Sequence, residues 1–245
     1  MYQTDSQTGG KKTIGIIGGM GPLATADLFS KIVRLTKAGC DQDHIHVLID
    51  SNTAIPDRTR AILGQGEDPL PQMALSAERL YQAGADFLIM PCNTAHYFHA
   101  ALCRRSKLPI LNMLEETAAV LARSGVRRAG LLATDGTVRS GVYKAAMDTY
   151  GVTLLTPGMA GQRDVMSLIY DGVKAGNSAF DCDPFSAVCE GLLERGAETL
   201  ILGCTELPLA FASYGLSFPH VDPTLLLAAA AIRFAGGECW EGLAP

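Results

Sequence analysis

The sequence predicts an α/β protein with two pseudo-symmetric, doubly wound domains, mainly parallel sheets, and an active site in the cleft between the domains. Short apolar runs alternate with longer amphipathic stretches, a pattern typical of βα units in a parallel sheet. The second half of the chain also repeats the order of elements of the first half. We place the first domain at residues 12–114 and 219–245, so that a C-terminal helix returns to it, and the second domain at residues 115–218.

The first domain begins with the run "TIGIIGG", which predicts a strand, and Pro22 suits the first turn of a helix over about Leu23 to Thr36. "HVLIDSN" predicts the second strand. "MALSAERLYQAGA" predicts a helix that ends at Gly84, and "DFLIMPC" predicts the third strand. "LPILNM" predicts a fourth strand before a helix from Glu115 to Arg123, and "RRAGLLATDG" then begins the same series of elements again.

The repeat is clearest where "AERLYQAGADFLIMPCNT" is set over "CEGLLERGAETLILGCTE", at an offset of 112 residues. Gly84 then falls on Gly196, and Cys92 falls on Cys204. Each cysteine therefore follows the C-terminal end of an equivalent strand. Because ligands of open α/β sheets bind outside the carboxyl ends of the strands, the repeat predicts that the two thiols lie on opposite walls of one cleft.

Both cysteines precede a predicted helix, whose N-terminus favours a thiolate. Two thiols on opposite sides of a ligand suit the inversion of a stereocentre, because one removes a proton from one face while the other supplies a proton to the opposite face. Such a pair titrates as a coupled unit. A disulfide between them is the redox alternative, which a cytosolic location disfavours. The remaining cysteines are interpreted as small buried hydrophobes: Cys40, Cys103, Cys182, Cys189 and Cys239.

Polar residues next to the two cysteines predict an amino-acid ligand. Asn93 and Thr94 follow the first cysteine, and Thr205 follows the second. Thr134, after the first strand of the second domain, opens onto the same cleft. These side chains, together with the free amides at the strand ends, can hold a carboxylate and an ammonium group.

The segment "SNTAIPDRT" supplies Asn52 and Arg58 at the same edge of the sheet. Arg58 can pair bidentately with a carboxylate, although an arginine in a turn is as readily a solvated surface charge. Lys174 in "YDGVKAG" is a similar candidate, whose simpler interpretation is a cation at the C-terminal end of a helix.

Composition argues against several other classes of protein. The formal net charge of −5 over 245 residues gives no basic field for nucleic acid. The sequence has no apolar stretch of the length needed to span a bilayer, so we expect no membrane partner and a cytoplasmic location. It has no C-x-x-C or His/Cys ligand spacing, and we predict no metal site.

Six motifs together resemble the aspartate/glutamate racemase superfamily, and most closely its aspartate racemases: "IGIIGGMGPLAT", "IPDRT", "MPCNTAH", "LLATDGT", "VKAG" and "GCTELP". The resemblance extends from about Lys12 to the end of the chain. It implies two pseudo-symmetric α/β domains, no cofactor and a homodimer. It further implies that Cys92 and Cys204 are the two acid/base catalysts.

The resemblance also implies roles for the polar residues. Arg58 and Lys174 match positions that clamp the acidic side chain of the substrate, and the α-carboxylate and amino groups are held by Asn93, Thr94, Thr134 and Thr205. Glutamate racemases of cell-wall synthesis carry His where this chain has Glu206, and Asp-Ser where it has Met20-Gly21-Pro22, so both departures argue against that branch. The predicted substrate-binding set is Met20, Asn52, Arg58, Asn93, Thr94, Thr134, Lys174, Thr205 and Glu206.

The first functional hypothesis is therefore a cofactor-independent racemase of aspartate, with glutamate as a further substrate, since one methylene changes binding by only a few kcal/mol. The second is an NAD-dependent oxidoreductase, because Gly19, Gly21 and Ala24 fit a dinucleotide-binding loop and Asp50 ends the next strand. The third is a non-enzymatic amino-acid-binding relative that retains the cleft. Maleate isomerases and hydantoin racemases share the cysteine pair but would not require Arg58 together with Lys174.

Overall fold

The structure is a computed structural model that describes residues 10–241, so the predicted first-domain residues 242–245 lie outside it. The first half of the chain contains, in order, β1 (Ile14–Gly18), α1 (Pro22–Leu35), β2 (Val47–Ser51), α2 (Arg58–Ile62), α3 (Leu70–Gln82), β3 (Phe87–Ile89), α4 (His99–Cys103) and α5 (Met113–Arg123). A 3₁₀ segment, Thr94–Phe98, joins β3 to α4.

The second half contains β4 (Arg128–Leu132), α6 (Asp135–Ser140), α7 (Val142–Thr149), β5 (Thr153–Leu155), α8 (Met159–Ser167), α9 (Asp183–Glu194), β6 (Thr199–Leu202), α10 (Leu207–Tyr214), β7 (His220–Val221) and α11 (Pro223–Phe234). A π-helical segment, Leu168–Lys174, continues directly from α8.

The strands form two sheets, with the orders β2-β1-β3 and β5-β4-β6-β7, and all of these pairings are parallel. Each half thus places its first strand between its second and its third, which is the same topology. The predicted α/β fold class with mainly parallel sheets is confirmed.

Equivalent residues of the repeat make equivalent contacts. A Cβ at Gly15 would lie 2.6 Å from Leu88, and one at Gly130 would lie 2.8 Å from Leu200, so glycine lets the neighbouring strand's leucine pack against the central strand of each sheet. The acidic residue before each third strand also has a shared role: Asp86 accepts from Thr13 N at 2.6 Å, and Glu198 accepts from Arg128 N at 2.9 Å.

The predicted fourth strand, "LPILNM", is wrong as a full strand. Leu88 N donates to Pro109 O and Leu111 N donates to Leu88 O, which leaves a single parallel bridge between Leu88 and Ile110. Pro109 has no N–H to extend the ladder, and Asn112 accepts from Leu114 N at 3.0 Å, so the chain turns into α5 at once.

The helices α5 and α11 each pack beyond the sheet that they follow. In α11, Leu227 and Ile232 share a buried cluster with Ile14 of β1 and Leu28 of α1. In α5, residues 114, 118 and 121 share another with β4. The division of the chain into two domains stays a prediction. Within residues 10–241, no helix is long and apolar enough to cross a membrane.

Candidate active site

A narrow cleft lies at the carboxyl ends of the two sheets, where the polar turns of both halves meet. Its free volume is about 20 Å³, which is room for one water molecule. The lining residues are Met20, Asp57, Arg58, Thr59, Cys92, Asn93, Thr94, Thr134, Tyr170, Lys174, Cys204, Thr205 and Glu206. The cleft therefore brings together all of the predicted site residues except Asn52.

Both thiols border this space. Cys92 is 5 % exposed and Cys204 is 6 % exposed, so both residues are almost completely buried. Each follows the last strand residue of its βα unit, because the apolar run of the buried strand ends where the polar turn begins. The arrangement agrees with the cleft that the repeat predicted.

Around Cys204, the dominant neighbour is a carboxylate. The Sγ–H of Cys204 donates to Glu206 Oε2 at 2.9 Å, and the other oxygen of Glu206 lies 3.2 Å from Lys174 Nζ. Burial raises the pKa of Cys204 well above its ordinary value, and the charge and hydrogen bond of Glu206 raise it further, while Lys174 and the Glu206 amide oppose them. The expectation that the helix N-terminus favours a Cys204 thiolate is therefore wrong, since burial and Glu206 outweigh it.

Lys174 keeps its charge in this setting. Burial acts to lower the pKa of Lys174, but the charge and hydrogen bond of Glu206 raise it above its ordinary value. Its ammonium also lies 4.9 Å from the centre of the Tyr170 ring. Lys174 is thus a partly buried cation held at the wall of the cleft.

Around Cys92, the dominant neighbour is Arg58, whose guanidinium is fixed by backbone carbonyls. Nη1 donates to Ile55 O at 3.3 Å and Pro56 O at 3.0 Å, and Nη2 donates to Met20 O at 3.2 Å. Nε is buried and has no hydrogen-bond partner among the described residues. Backbone carbonyls therefore take three of the five N–H donors of Arg58.

Arg58 also stays protonated. Burial acts to lower the pKa of its guanidinium, but the negative charge and hydrogen bonding of Cys92, with Asp57 and Glu206, raise it above the ordinary value. The guanidinium and the Cys92 sulfur are therefore electrostatic neighbours. Arg58 is not the solvated surface charge of the alternative interpretation.

Asn93 presents a second unused donor. Its Oδ1 accepts from the buried hydroxyl of Tyr143, whereas its Nδ2 is buried without a hydrogen-bond partner among residues 10–241. Burial raises the pKa of Tyr143 well above its ordinary value, so this phenol stays neutral and keeps donating. Tyr143 thereby fixes the amide of Asn93 with its NH₂ group free.

Threonine hydroxyls connect the two halves of the molecule. Thr94 Oγ1 lies 3.1 Å from Thr134 Oγ1 and 2.8 Å from Thr137 Oγ1, and Thr134 and Thr137 are 3.1 Å apart. Thr134 also caps α6. Thr205 instead donates to Glu206 Oε2 at 3.3 Å. Without a ligand, these predicted substrate-binding hydroxyls bond to protein groups.

Asn52 does not reach the cleft, which corrects its predicted place in the substrate-binding set. Its Nδ2 donates to Ser76 Oγ at 3.1 Å, and its Oδ1 accepts from Ala54 N at 3.1 Å, so both ends of the amide are used within the first half. Its backbone packs on Gly19, where a Cβ would lie 2.4 Å from the Asn52 carbonyl carbon. The absence of a side chain at Gly19 thus allows the chain after β2 to approach this closely.

Three lining residues escaped the sequence analysis: Asp57, Thr59 and Tyr170. Asp57 accepts from Arg60 N at 2.8 Å and caps α2, a role that an aspartate just before a short helix signals in advance. Tyr170 and Lys174 lie on the π-helical segment, whose wider turn sets where both side chains enter the cleft. No local sequence pattern predicts this π-helical turn.

Comparison with known proteins adds a family. A family model described as Asp/Glu/Hydantoin racemase matches residues 17–231. The structure is similar to that of the Picrophilus torridus aspartate racemase, with a TM-score of 0.83 and 33% identity over 95% of this chain and 97% of that one. The sequence is 25% identical to the broad specificity amino-acid racemase RacX of Bacillus subtilis, over 89% of this chain and 96% of that protein. It is 30% identical to the glutamate racemase of Desulforudis audaxviator, over 67% of this chain and 61% of that one.

Proposed function

Since this chain belongs to the Asp/Glu/hydantoin racemase family, we propose that it interconverts L- and D-aspartate without a cofactor, by proton transfer at Cα between Cys92 and Cys204. Family membership and the similarity to an aspartate racemase over nearly the whole chain support an amino-acid racemase. The choice of aspartate and the two-thiol chemistry are the parts that we propose.

One observation carries the proposal: two thiols and two unpartnered buried N–H donors border the same cleft. Among residues 10–241, Arg58 Nε and Asn93 Nδ2 have no hydrogen-bond acceptor, which is costly for a buried donor unless a ligand satisfies it. Both are donors, so the missing partner is an acceptor such as a carboxylate. A dicarboxylic amino acid supplies one carboxylate for each donor and a Cα–H between them.

In the proposed mechanism, one sulfur acts as a thiolate and removes the proton from Cα. The electron pair of the broken C–H bond is shared with the α-carboxylate, and the hydrogen bond from Asn93 Nδ2 stabilises the charge that develops there. The other sulfur, as a thiol, then gives its proton to the opposite face of Cα. The configuration is inverted, and the protonation states of the two sulfurs are exchanged.

Arg58 and Lys174 support an acidic side chain in the substrate. Arg58 and Lys174 both line the cleft, and Lys174 is paired there with Glu206. An added carboxylate is favourable next to these two cations. The relative from Desulforudis audaxviator is a glutamate racemase, so glutamate is the competing substrate. The RacX relative makes neutral amino acids a necessary part of the test.

The decisive experiment follows racemisation in D₂O without any added cofactor. We expect L-aspartate to lose optical rotation and to gain deuterium at Cα, faster than glutamate or alanine. Binding of aspartate with no deuterium incorporation would instead identify a non-enzymatic relative. A faster reaction with glutamate, or an equal rate with alanine, would refute the aspartate assignment.

The homodimer and the cytoplasmic location that the sequence predicts remain proposals. Light scattering of the purified protein tests the dimer, and cell fractionation tests the location. A monomer that racemises aspartate at the full rate would make the dimer irrelevant to the chemistry.

A further inference from the structure

The two cysteines stand in unequal electrostatic surroundings, because the internal repeat is broken beside them. At the offset that sets Cys204 on Cys92, Glu206 falls on Thr94. The first thiol is thus followed by a neutral hydroxyl, and the second by a carboxylate at the same place. Symmetric chemistry does not need this difference, so it calls for an explanation.

The hydrogen bonds and charges around the two cysteines differ in the same way as the sequence. Cys204 donates its proton to Glu206 Oε2 at 2.9 Å. Cys92 has Arg58 as its charged neighbour, and the two side chains interact through charge and a hydrogen bond. A negative neighbour opposes the thiolate and a positive neighbour favours it. The titratable or charged groups that face this pair from all sides are Asp57, Arg58, Tyr143, Tyr170, Lys174 and Glu206.

We propose that Glu206 is a positioning residue that keeps the proton on Cys204, so that Cys204 is the first proton donor of the reaction and Cys92 its first base. This rests on the proposed function, because it assigns the first base of that reaction. Glu206 then does not bind substrate directly, in contrast to its place in the predicted substrate-binding set. Burial and Glu206 both raise the pKa of Cys204, in agreement with the geometry.

Lys174 has a defined part in this arrangement. Its ammonium lies 3.2 Å from Glu206 Oε1, and this opposite charge limits how strongly the carboxylate opposes a Cys204 thiolate. The opposition must be limited, since Cys204 becomes a thiolate each time it protonates the substrate. Glu206 and Lys174 together make Cys204 the second sulfur to lose its proton, but they do not prevent Cys204 from losing it.

Thiol alkylation without substrate tests the order directly. Iodoacetamide forms an S–C bond with a thiolate and releases iodide, and mass spectrometry of peptides gives the rate at each cysteine as a function of pH. Access to a sulfur changes the maximal rate but not the pH of half-maximal rate, so that midpoint reports protonation. We expect the Cys92 midpoint to lie below the Cys204 midpoint.

Two variants with opposite signs make the test specific. Glu206→Gln should lower the Cys204 midpoint by roughly one pH unit or more, and Lys174→Gln should raise it. Glu206→Asp should restore part of the wild-type value. Glu194→Gln, which removes an exposed carboxylate of α9, is the matched control and should change nothing.

Equal midpoints, a lower midpoint for Cys204, or a Cys204 midpoint that neither variant moves would overturn the inference. In that case aspartate is still racemised and the proposed function stands. Absence of deuterium exchange at Cα overturns the proposed function itself, and the role of Cys92 as first base with it, whatever the order of alkylation.

Discussion

At the scale of single residues, both thiols border the cleft, and the proposed mechanism puts one on each side of a bound Cα. We therefore expect Cys92→Ser and Cys204→Ser each to abolish net racemisation. A serine hydroxyl is far less acidic than a thiol, so one face of Cα loses its proton carrier. Exchange of the α-proton with D₂O should survive for the single enantiomer whose proton faces the remaining thiol. Polarimetry and proton NMR of both enantiomers measure the two effects.

Cys40→Ser is the control for these variants, because Cys40 is an exposed cysteine away from the cleft. It should keep the wild-type rate. Full turnover in either Cys92→Ser or Cys204→Ser would contradict the two-thiol mechanism.

Arg58 is the residue that we expect to bind the side-chain carboxylate of the substrate. Arg58→Ala should reduce kcat/KM for aspartate about ten- to a hundredfold more than for alanine, since a hydrogen bond to a charged group contributes roughly 1.5–3 kcal/mol. Steady-state kinetics with both amino acids measure this difference.

The matched control for Arg58 lies two residues away on the same short helix. Arg60→Ala removes an exposed guanidinium and should leave both substrates unaffected. A loss in Arg58→Ala that is equal for aspartate and alanine would remove Arg58 from the clamp and leave it a purely structural role, through its bonds to Met20 O and Pro56 O.

The residues that sequence could locate are those whose position follows from backbone topology. Cys92 and Cys204 end buried strands, and the carboxyl ends of parallel strands meet at one edge, so their placement needs no knowledge of side-chain direction. Asn52 also follows a strand, but its amide turns towards Ser76 of α3. The direction of a side chain in a turn depends on its tertiary partners, which no local pattern reveals.

At the scale of elements, a buried histidine ties the turn after β3 to the start of α5. His96 Nδ1 lies 2.9 Å from Cys92 O, and its Nε2 accepts from Met113 N at 3.1 Å, so the ring is neutral with its proton on Nδ1. The bond holds the backbone of the cysteine turn in place.

Because His96 is buried and neutral, we expect the free energy of unfolding to fall in mild acid. Burial lowers the pKa of His96 to about 3, whereas the unfolded chain binds a proton near 6.5. Between those two pH values, the unfolded state binds one more proton than the folded state. The contribution of His96 to stability is therefore complete above pH about 6.5 and is lost as the pH falls towards 3. The free energy of unfolding should fall by up to about 1.4 kcal/mol per pH unit in this window. Urea unfolding at a series of pH values measures that slope.

His96→Asn should flatten the slope in this window while lowering stability at neutral pH. His46→Gln, which replaces an exposed histidine before β2, should keep the wild-type slope. If the slope of His96→Asn matched that of the wild type, the acid sensitivity would have to come from other groups.

Elements were predictable where periodicity and end signals agree, and not where a competing local bond intervenes. The run before α1 carries both an apolar strand pattern and Pro22 at the first helical turn, and β1 and α1 form there. In "LPILNM", Pro109 and the capping bonds of Asn112 compete with the strand pattern, and only a bridge remains. Short elements of this kind are decided by one or two hydrogen bonds.

At the scale of the whole molecule, the two halves are joined by more than one connection. Helix α5 packs against β4, helix α11 packs against β1 and α1, and the threonine hydroxyls meet across the cleft. The repeat predicts two similar sheets. It does not predict how the sheets are held together, because aligning one half with the other says nothing about contacts between the halves. The distance between the halves then decides whether substrate can enter.

The cleft must open for turnover, since its free volume of about 20 Å³ admits one water molecule and an amino acid is far larger. Opening separates Thr94 from Thr134 and Thr137. We therefore expect the backbone amides that follow Thr94 and Thr134 to exchange with D₂O faster in the free protein than with saturating aspartate, whereas α9 keeps the same rate in both. Hydrogen exchange with mass spectrometry measures both regions in one experiment.

Thr137→Val removes one hydroxyl of the contact without changing a residue that lines the cleft, and it should speed exchange after Thr94 about two- to tenfold in the free protein, since one neutral hydrogen bond contributes about 0.5–1.5 kcal/mol. Thr149→Val, which removes an exposed hydroxyl at the end of α7, is the matched control. Exchange rates that respond neither to aspartate nor to Thr137→Val would mean that the halves do not separate, and that substrate enters by movement of side chains alone.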